Sequence, residues 1–301
     1  MRKFTLSLLL LGAAFSMNAQ QEYVIFEDDF SWLLPWANAL NASGQACGDP
    51  IGKNDVSDAV SVSRALNNIK IDVDGTEVSA DQKVLDMGYE LQIKYNSSLA
   101  AKSAGNAVYL QRTLDSNEEA TGVYFKFGLT GYSTGITTPA LDKAGEDGVT
   151  GFTVSFDWCP QRQTSGAYDK THLAVYVNNE AAGTDGRKDL PDHTIESGSA
   201  LEWHHVEIPF DNYTLKGTDK ITIRPGANQW PGGKTAAYRF YLKNLKITTT
   251  TPISTGIAGI EADENAPVEY YNLQGIRVAE PENGLYIVRQ GNKVSKKFIR
   301  K

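Results

Sequence analysis

Sulfur is scarce in this chain of 301 residues, which contains two cysteines and three methionines. Two thiols permit one disulfide at most and cannot build a zinc knuckle. Cys47 lies in the turn-rich SGQACGDPIG and Cys159 in the strand-like FTVSFDWCP, and that separation leaves open whether they pair. Histidine is equally sparse. His172 and His193 stand alone, and the adjacent His204 and His205 face opposite sides of any strand, so they cannot share a metal without a bulge. Positive charge is in deficit, with Lys+Arg 29 against Asp+Glu 36 and a net charge of −7, which leaves no field to hold nucleic-acid phosphates. Beyond the N-terminus no apolar run approaches the ~20 residues that span a bilayer, so no transmembrane segment is expected in the mature chain. No strand carries the Glu-x-Asp-x-x-Glu pattern by which a β-sandwich glycosidase brings its carboxylates within ~5.5 Å. No catalytic residue is therefore assigned.

What is present begins with an export signal. MRK precedes an apolar run from Phe4 to Phe15, followed by Ser16-Met17-Asn18-Ala19. This reads as a secretory signal peptide over residues 1–19, cleaved near Ala19, and the protein is expected to be secreted or displayed at the cell surface. A lipoprotein would need a cysteine just after the cleavage point, whereas the first is Cys47. The remaining composition is ordinary for a globular chain, with Gly 27, Tyr 14 and Phe 11 tilting it toward strands and turns.

Periodicity agrees. Short runs of alternating or β-branched residues lie between turn signals at Glu90 to Tyr95, Ala107 to Arg112, Gly122 to Phe127, Thr150 to Trp158, His172 to Asn178, Glu202 to Pro209, Lys220 to Arg224 and Tyr238 to Thr248. In TVSFDW, Val154, Phe156 and Trp158 share one face; in HLAVYVNN, Leu173, Val175 and Val177 do. Many short strands without βα alternation predict an all-β, jelly-roll β-sandwich over residues 20–248. The stretch from Phe30 to Asn68 reads as irregular with one or two short helices. Residues 249–267, small, polar and broken by two prolines, read as a linker. Residues 268–301 then read as three short strands with two Gly-containing turns and a basic end, too small to bury a core alone.

Tyr271-Asn272-Leu273-Gln274-Gly275, Gly284-Leu285-Tyr286-Ile287 and the lysine-rich last strand resemble the C-terminal sorting domain of proteins exported by the type IX (Por) secretion system of Bacteroidetes. The resemblance implies a signal-peptide step across the inner membrane and recognition of the tail by outer-membrane secretion machinery; the alternative is an additional β-module with a solvated, lysine-protected edge. A weaker resemblance covers residues 22–248. FEDDFSWLLPW, GVYFKFGLTG, VSFDWCPQ and RFYLKNLKI are similar to uncharacterised secreted jelly-rolls related to galactose-binding-like sandwiches. That relation implies first and last strands side by side, and a structural calcium site to which carboxylates near the chain start can contribute.

Two candidate sites follow. Glu27, Asp28 and Asp29 form the densest acidic cluster, at the expected end of the first strand. Hard oxygens suit Ca²⁺, and the alternative is a solvated acidic strand end. The second site is aromatic. Trp230 sits in a loop whose glycines and prolines forbid regular structure, beside Arg224, Asn228, Gln229 and Lys234. Displayed there, an indole would stack on a sugar ring while its polar neighbours take hydroxyls. The polar loop from Gln161 to Ser165, with Arg162, Tyr168 and Asp169, would form the opposite wall. The competing expectation is that Trp230 folds back to plug the sandwich. Glycan binding or adhesion is the function these features point to; a glycan-active enzyme with an unrecognised site and a structural surface protein without small ligand are the alternatives.

Overall fold

The structure, a computed structural model, describes residues 21–52, 64–163, 165–180, 184–191, 195–253, 267–272, 275–290 and 293–300. The expected signal peptide and most of the expected linker lie outside them. A strand with one face in a core needs an apolar side chain at every second position, and the sequence supplies it. Within Val149–Pro160, Phe152, Val154, Phe156 and Trp158 are all buried in the main core; within Leu173–Val177, Leu173, Val175 and Val177 are.

Among the described residues the larger sheet has seven strands. It runs in the order His204–Leu215, Val149–Pro160, Phe240–Thr249, Ala120–Phe127, Val108–Leu114 and Arg64–Ala65, with Tyr23–Asp28 also paired to Phe240–Thr249. That pairing is antiparallel, Tyr23 opposite Thr249 and Asp28 opposite Leu245, so the first described strand lies beside the last strand of the sandwich. The smaller sheet has five, ordered Arg187–Asp189, Leu173–Val177, Ile221–Pro225, Tyr132–Thr137 and Glu90–Tyr95. One core lies between them. Phe125, Phe127, Phe156, Phe240 and Leu242 of the larger sheet meet Ile136, Val175 and Ile223 of the smaller, and the Phe127 and Phe240 rings stack at 4.9 Å. Each such side chain removed from water contributes ~1.5 to 3 kcal/mol, which is what holds the layers together. The all-β sandwich is the architecture expected.

Departures from expectation are local. Tyr132–Thr137, with Gly135 inside it, is not among the strands expected from the sequence. The strand is real, and the residue is glycine because a Cβ would stand 2.4 Å from Ile223 O and 2.5 Å from Arg224 Cβ. A hairpin of Lys70–Val73 with Thr76–Ser79, and the helix Ala80–Asp86 after it, were likewise not anticipated. In the N-terminal stretch a helix Leu34–Asn38 does form, and it buries Trp36, whose Nε1 donates to Val78 O at 3.0 Å. The sandwich strand Phe240–Thr249 extends into the stretch assigned to the linker.

The tail forms a four-stranded sheet, ordered Arg277–Val278, Val268–Tyr271, Gly284–Gln290 and Lys293–Ile299. Its first expected strand is a tight hairpin instead. Tyr271 pairs with Arg277, the Asn272 side chain accepts from Ile276 N at 2.9 Å, and Gly275 takes a φ of 81° that other residues rarely adopt. Both cysteines are free and buried on opposite faces of the larger sheet: Cys47 in the main core, Cys159 in a small outer cluster with Tyr124 and Tyr241. Burial pushes their thiols up to about 11 and about 12. No helix among the described residues is long and apolar enough to cross a membrane.

Candidate functional site

The three carboxylates of the acidic cluster are turned to different partners. Strand alternation sends Glu27 outward, opposite in direction to Asp28. Asp28 is committed to the protein: its carboxylate accepts from Phe30 N at 2.7 Å, from Trp32 Nε1 at 3.0 Å and from the Tyr89 hydroxyl. Asp29 accepts from Ser31 N at 2.9 Å, and that bond holds its carboxyl below the usual range. Among the described residues no three His, Cys, Asp or Glu side chains converge on one point. Asp28 closes the turn that brings Trp32 onto Tyr89, the two rings lying 6.0 Å apart at 28° to each other.

The two polar loops do meet. They enclose an open cleft of about 910 Å³ at one end of the smaller sheet, lined on one side by residues 167–172 and on the other by 226–229, with Arg187 and Asp189 of the edge strand at its margin. Each wall is pinned. Gln229 receives His172 N on Oε1 and donates from Nε2 to Lys170 O, both at 2.8 Å, while its carbonyl accepts from Ser133 Oγ at 2.6 Å. Asp169, a buried carboxylate, accepts from Gln163 Nε2 at 2.7 Å, from Arg239 Nε at 2.6 Å and from the second guanidinium nitrogen at 3.0 Å. This pairing ties the cleft to the start of the central strand Phe240–Thr249, which Arg239 immediately precedes.

The sequence-derived residues divide accordingly. Tyr168, Asn228 and Gln229 line the cleft. Tyr168 is half-buried and its hydroxyl donates to Ser199 O at 2.7 Å, which leaves the ring as what it can offer a ligand. Arg162 is buried, its guanidinium donating to Ser199 O at 2.7 Å beneath that wall. Trp230 is neither displayed nor buried outright. It is half-buried, and Arg224 lies 4.7 Å over its ring and 3.8 Å over Tyr176, so the guanidinium is held between two aromatic faces. Burial lowers the Arg224 pKa from its ordinary value.

Lys170, Arg187 and Asp189 were not singled out in the sequence, and His172 was read there only as an isolated histidine. Arg187 and Asp189 are two apart and therefore share one strand face, where Arg187 donates to Asp189 at 2.5 Å; His172 stands 3.9 Å from the same carboxylate. A three-residue strand gives too short a run for that alternation to be read. A Gly-x-Ser-x-Gly spelling, counted as absent in excluding a serine hydrolase, does occur in the sequence. Gly131-Tyr132-Ser133-Thr134-Gly135 has the Gly-x-Ser-x-Gly form of a nucleophile elbow, but Ser133 is buried within a strand with its hydroxyl on Gln229 O, not on a strand-to-helix turn. His205 lies at the surface, 2.7 Å from Asp157 on the neighbouring strand and away from the cleft.

No family model matches the chain, and no curated protein does. Solved structures similar to it include a cleaved adhesin domain of Lys-gingipain from Porphyromonas gingivalis, at 14% identity over 62% of this chain and 95% of that chain, with a TM-score of 0.31. TmCBM61 in complex with beta-1,4-galactotriose aligns at 15% identity over 52% of this chain and 86% of that chain, with a TM-score of 0.29. The CBM22-1 xylan-binding domain from Paenibacillus barcinonensis Xyn10C aligns at 13% identity over 53% and 84%, with a TM-score of 0.26. Likeness at this level carries no argument about what this chain binds.

Proposed function

We propose that this protein is a secreted or cell-surface β-sandwich that binds glycan and performs no catalysis of its own. The observation that carries the reading is the cleft of about 910 Å³, whose rim holds Asn228 and Lys170, hydrogen-bonding side chains with no partner among the described residues, beside the Tyr168 ring. A sugar needs both: fixed polar groups for its hydroxyls and a flat apolar surface for its ring. The locks made by Gln229 and Asp169 support the same reading, since walls held before binding lose little conformational entropy on binding. Both carboxylates of the cleft, Asp169 and Asp189, already face an arginine, an arrangement that favours recognition over hydrolysis. Action outside the inner membrane rests on the signal-peptide pattern of residues 1–19 and on the sorting-like tail, through which the secretion machinery would be a partner.

A glycan array probed with the purified chain is expected to give a bound class. Asn228→Ala should weaken that binding about three- to tenfold, the worth of one hydrogen bond, with the melting temperature unchanged because Asn228 is exposed. Release of new reducing ends from the bound glycan would instead assign a glycan-active enzyme. An array without any bound class would leave a structural surface protein.

A further inference from the structure

The charges around the cleft do not balance, although the chain as a whole is acidic. Asp169 is matched by Arg239, and Asp189 by Arg187 with His172 nearby. That leaves Lys170 on the rim and Arg224 behind the 226–229 wall with no carboxylate on either among the described residues. Arg224 is half-buried between Tyr176 and Trp230, and Arg187 lies 5.1 Å over the same Tyr176 ring. The two guanidiniums on one tyrosine repel each other, and while Asp189 offsets Arg187, no carboxylate among the described residues offsets Arg224.

Unsatisfied donors point the same way. The Arg187 side chain is 7% exposed and lines the cleft, yet its Nε has no hydrogen-bond partner. The Tyr176 hydroxyl, fully buried beside the two guanidiniums, has none either. Buried donors are nearly always paired, so two orphans next to an unneutralised cation mark a place where an acceptor is missing. Resting on the glycan reading of this cleft, we propose that its ligand is an acidic glycan whose anionic substituent, a uronate carboxylate or a sulfate ester, is held at the Lys170, Arg187 and Arg224 side of the cleft. The hydroxyls of a neutral sugar could accept from these donors but would bring no charge to Lys170 and Arg224, whereas a carboxylate or sulfate brings the charge and accepts several N–H bonds at once.

The test is titration calorimetry of the full chain with three probes of equal length: an oligogalacturonate, a sulfated galactan oligosaccharide and a neutral galactan oligosaccharide. One or both acidic probes should bind about tenfold or more tighter than the neutral one, and the preference should shrink at least about fivefold between 0.05 and 0.5 M NaCl as the charges are screened. Lys170→Glu, at an exposed position that leaves the fold intact, should abolish the preference. Which acidic probe binds identifies carboxylate or sulfate as the group recognised. Equal binding of acidic and neutral probes, or a preference untouched by Lys170→Glu and by an Arg224→Gln variant shown to fold, overturns the inference and leaves the glycan reading standing. Absence of binding to all three probes and to every glycan on the array overturns the glycan reading itself, and the inference with it.

Discussion

Gln229 commits both ends of its amide to the opposite wall of the cleft, and its neighbours on either side do something different. Asn228 is exposed, its amide without a partner among the described residues, and Trp230 turns back to cover Arg224. All three are polar or aromatic residues of one loop, and the sequence offers no means of telling a side chain that holds the loop from one that projects out of it. The distinction depends on which groups the other loop brings within 3 Å. Trp230 is the sharpest case. A displayed ring would lose almost no stability on truncation, and a buried plug would lose ~3 to 5 kcal/mol. A half-buried indole over a guanidinium should fall between, so Trp230→Ala is expected to cost about 1 to 2 kcal/mol in urea unfolding, mostly the lost cation–π contact and its packing.

Single elements explain why the acidic run near the chain start looked like a metal site. Glu27, Asp28 and Asp29 are contiguous, but a strand sends neighbours to opposite faces, and the strand Tyr23–Asp28 ends inside the run. Asp28 lands over the turn into the 3-10 segment Ser31–Leu33, where Phe30 takes a φ of 62° and its N–H needs an acceptor. The same carboxylate reaches Trp32 and Tyr89, a residue 61 positions away that only folding brings near. Asp28→Ala removes all three charge-assisted bonds and is expected to cost about 3 kcal/mol. The melting temperature should be the same in millimolar calcium and in chelator; a rise with calcium would restore the metal reading.

Across the whole molecule the sandwich core draws on described residues up to Ile253, and the tail sheet pairs only with itself. Deleting Val268 to Lys301 is therefore expected to leave the melting temperature of the sandwich unchanged. If the tail is a sorting signal, the truncated protein should accumulate in the periplasm of a host with the secretion system; normal delivery to the surface would make the tail an ordinary β-module. The two buried thiols fit the same division of labour. They sit on opposite faces of the larger sheet, so the fold is closed by packing and strand pairing without a covalent tie.

Alternation along Val149–Pro160 and Leu173–Val177 was enough to determine an all-β sandwich and the faces it buries, because one-sided burial repeats every two residues and needs no knowledge of partners. The candidate loops were legible for a similar reason, since Gly and Pro exclude regular structure wherever they cluster. What only the tertiary structure decided was pairing at a distance: that Tyr168 and Asn228 face one cleft, that Asp28 is occupied by Tyr89, that Gly135 is a strand residue under Arg224, and that Arg187 and Arg224 share Tyr176. Each depends on residues far apart in the chain meeting within a few ångströms, and local sequence periodicity carries no information about that.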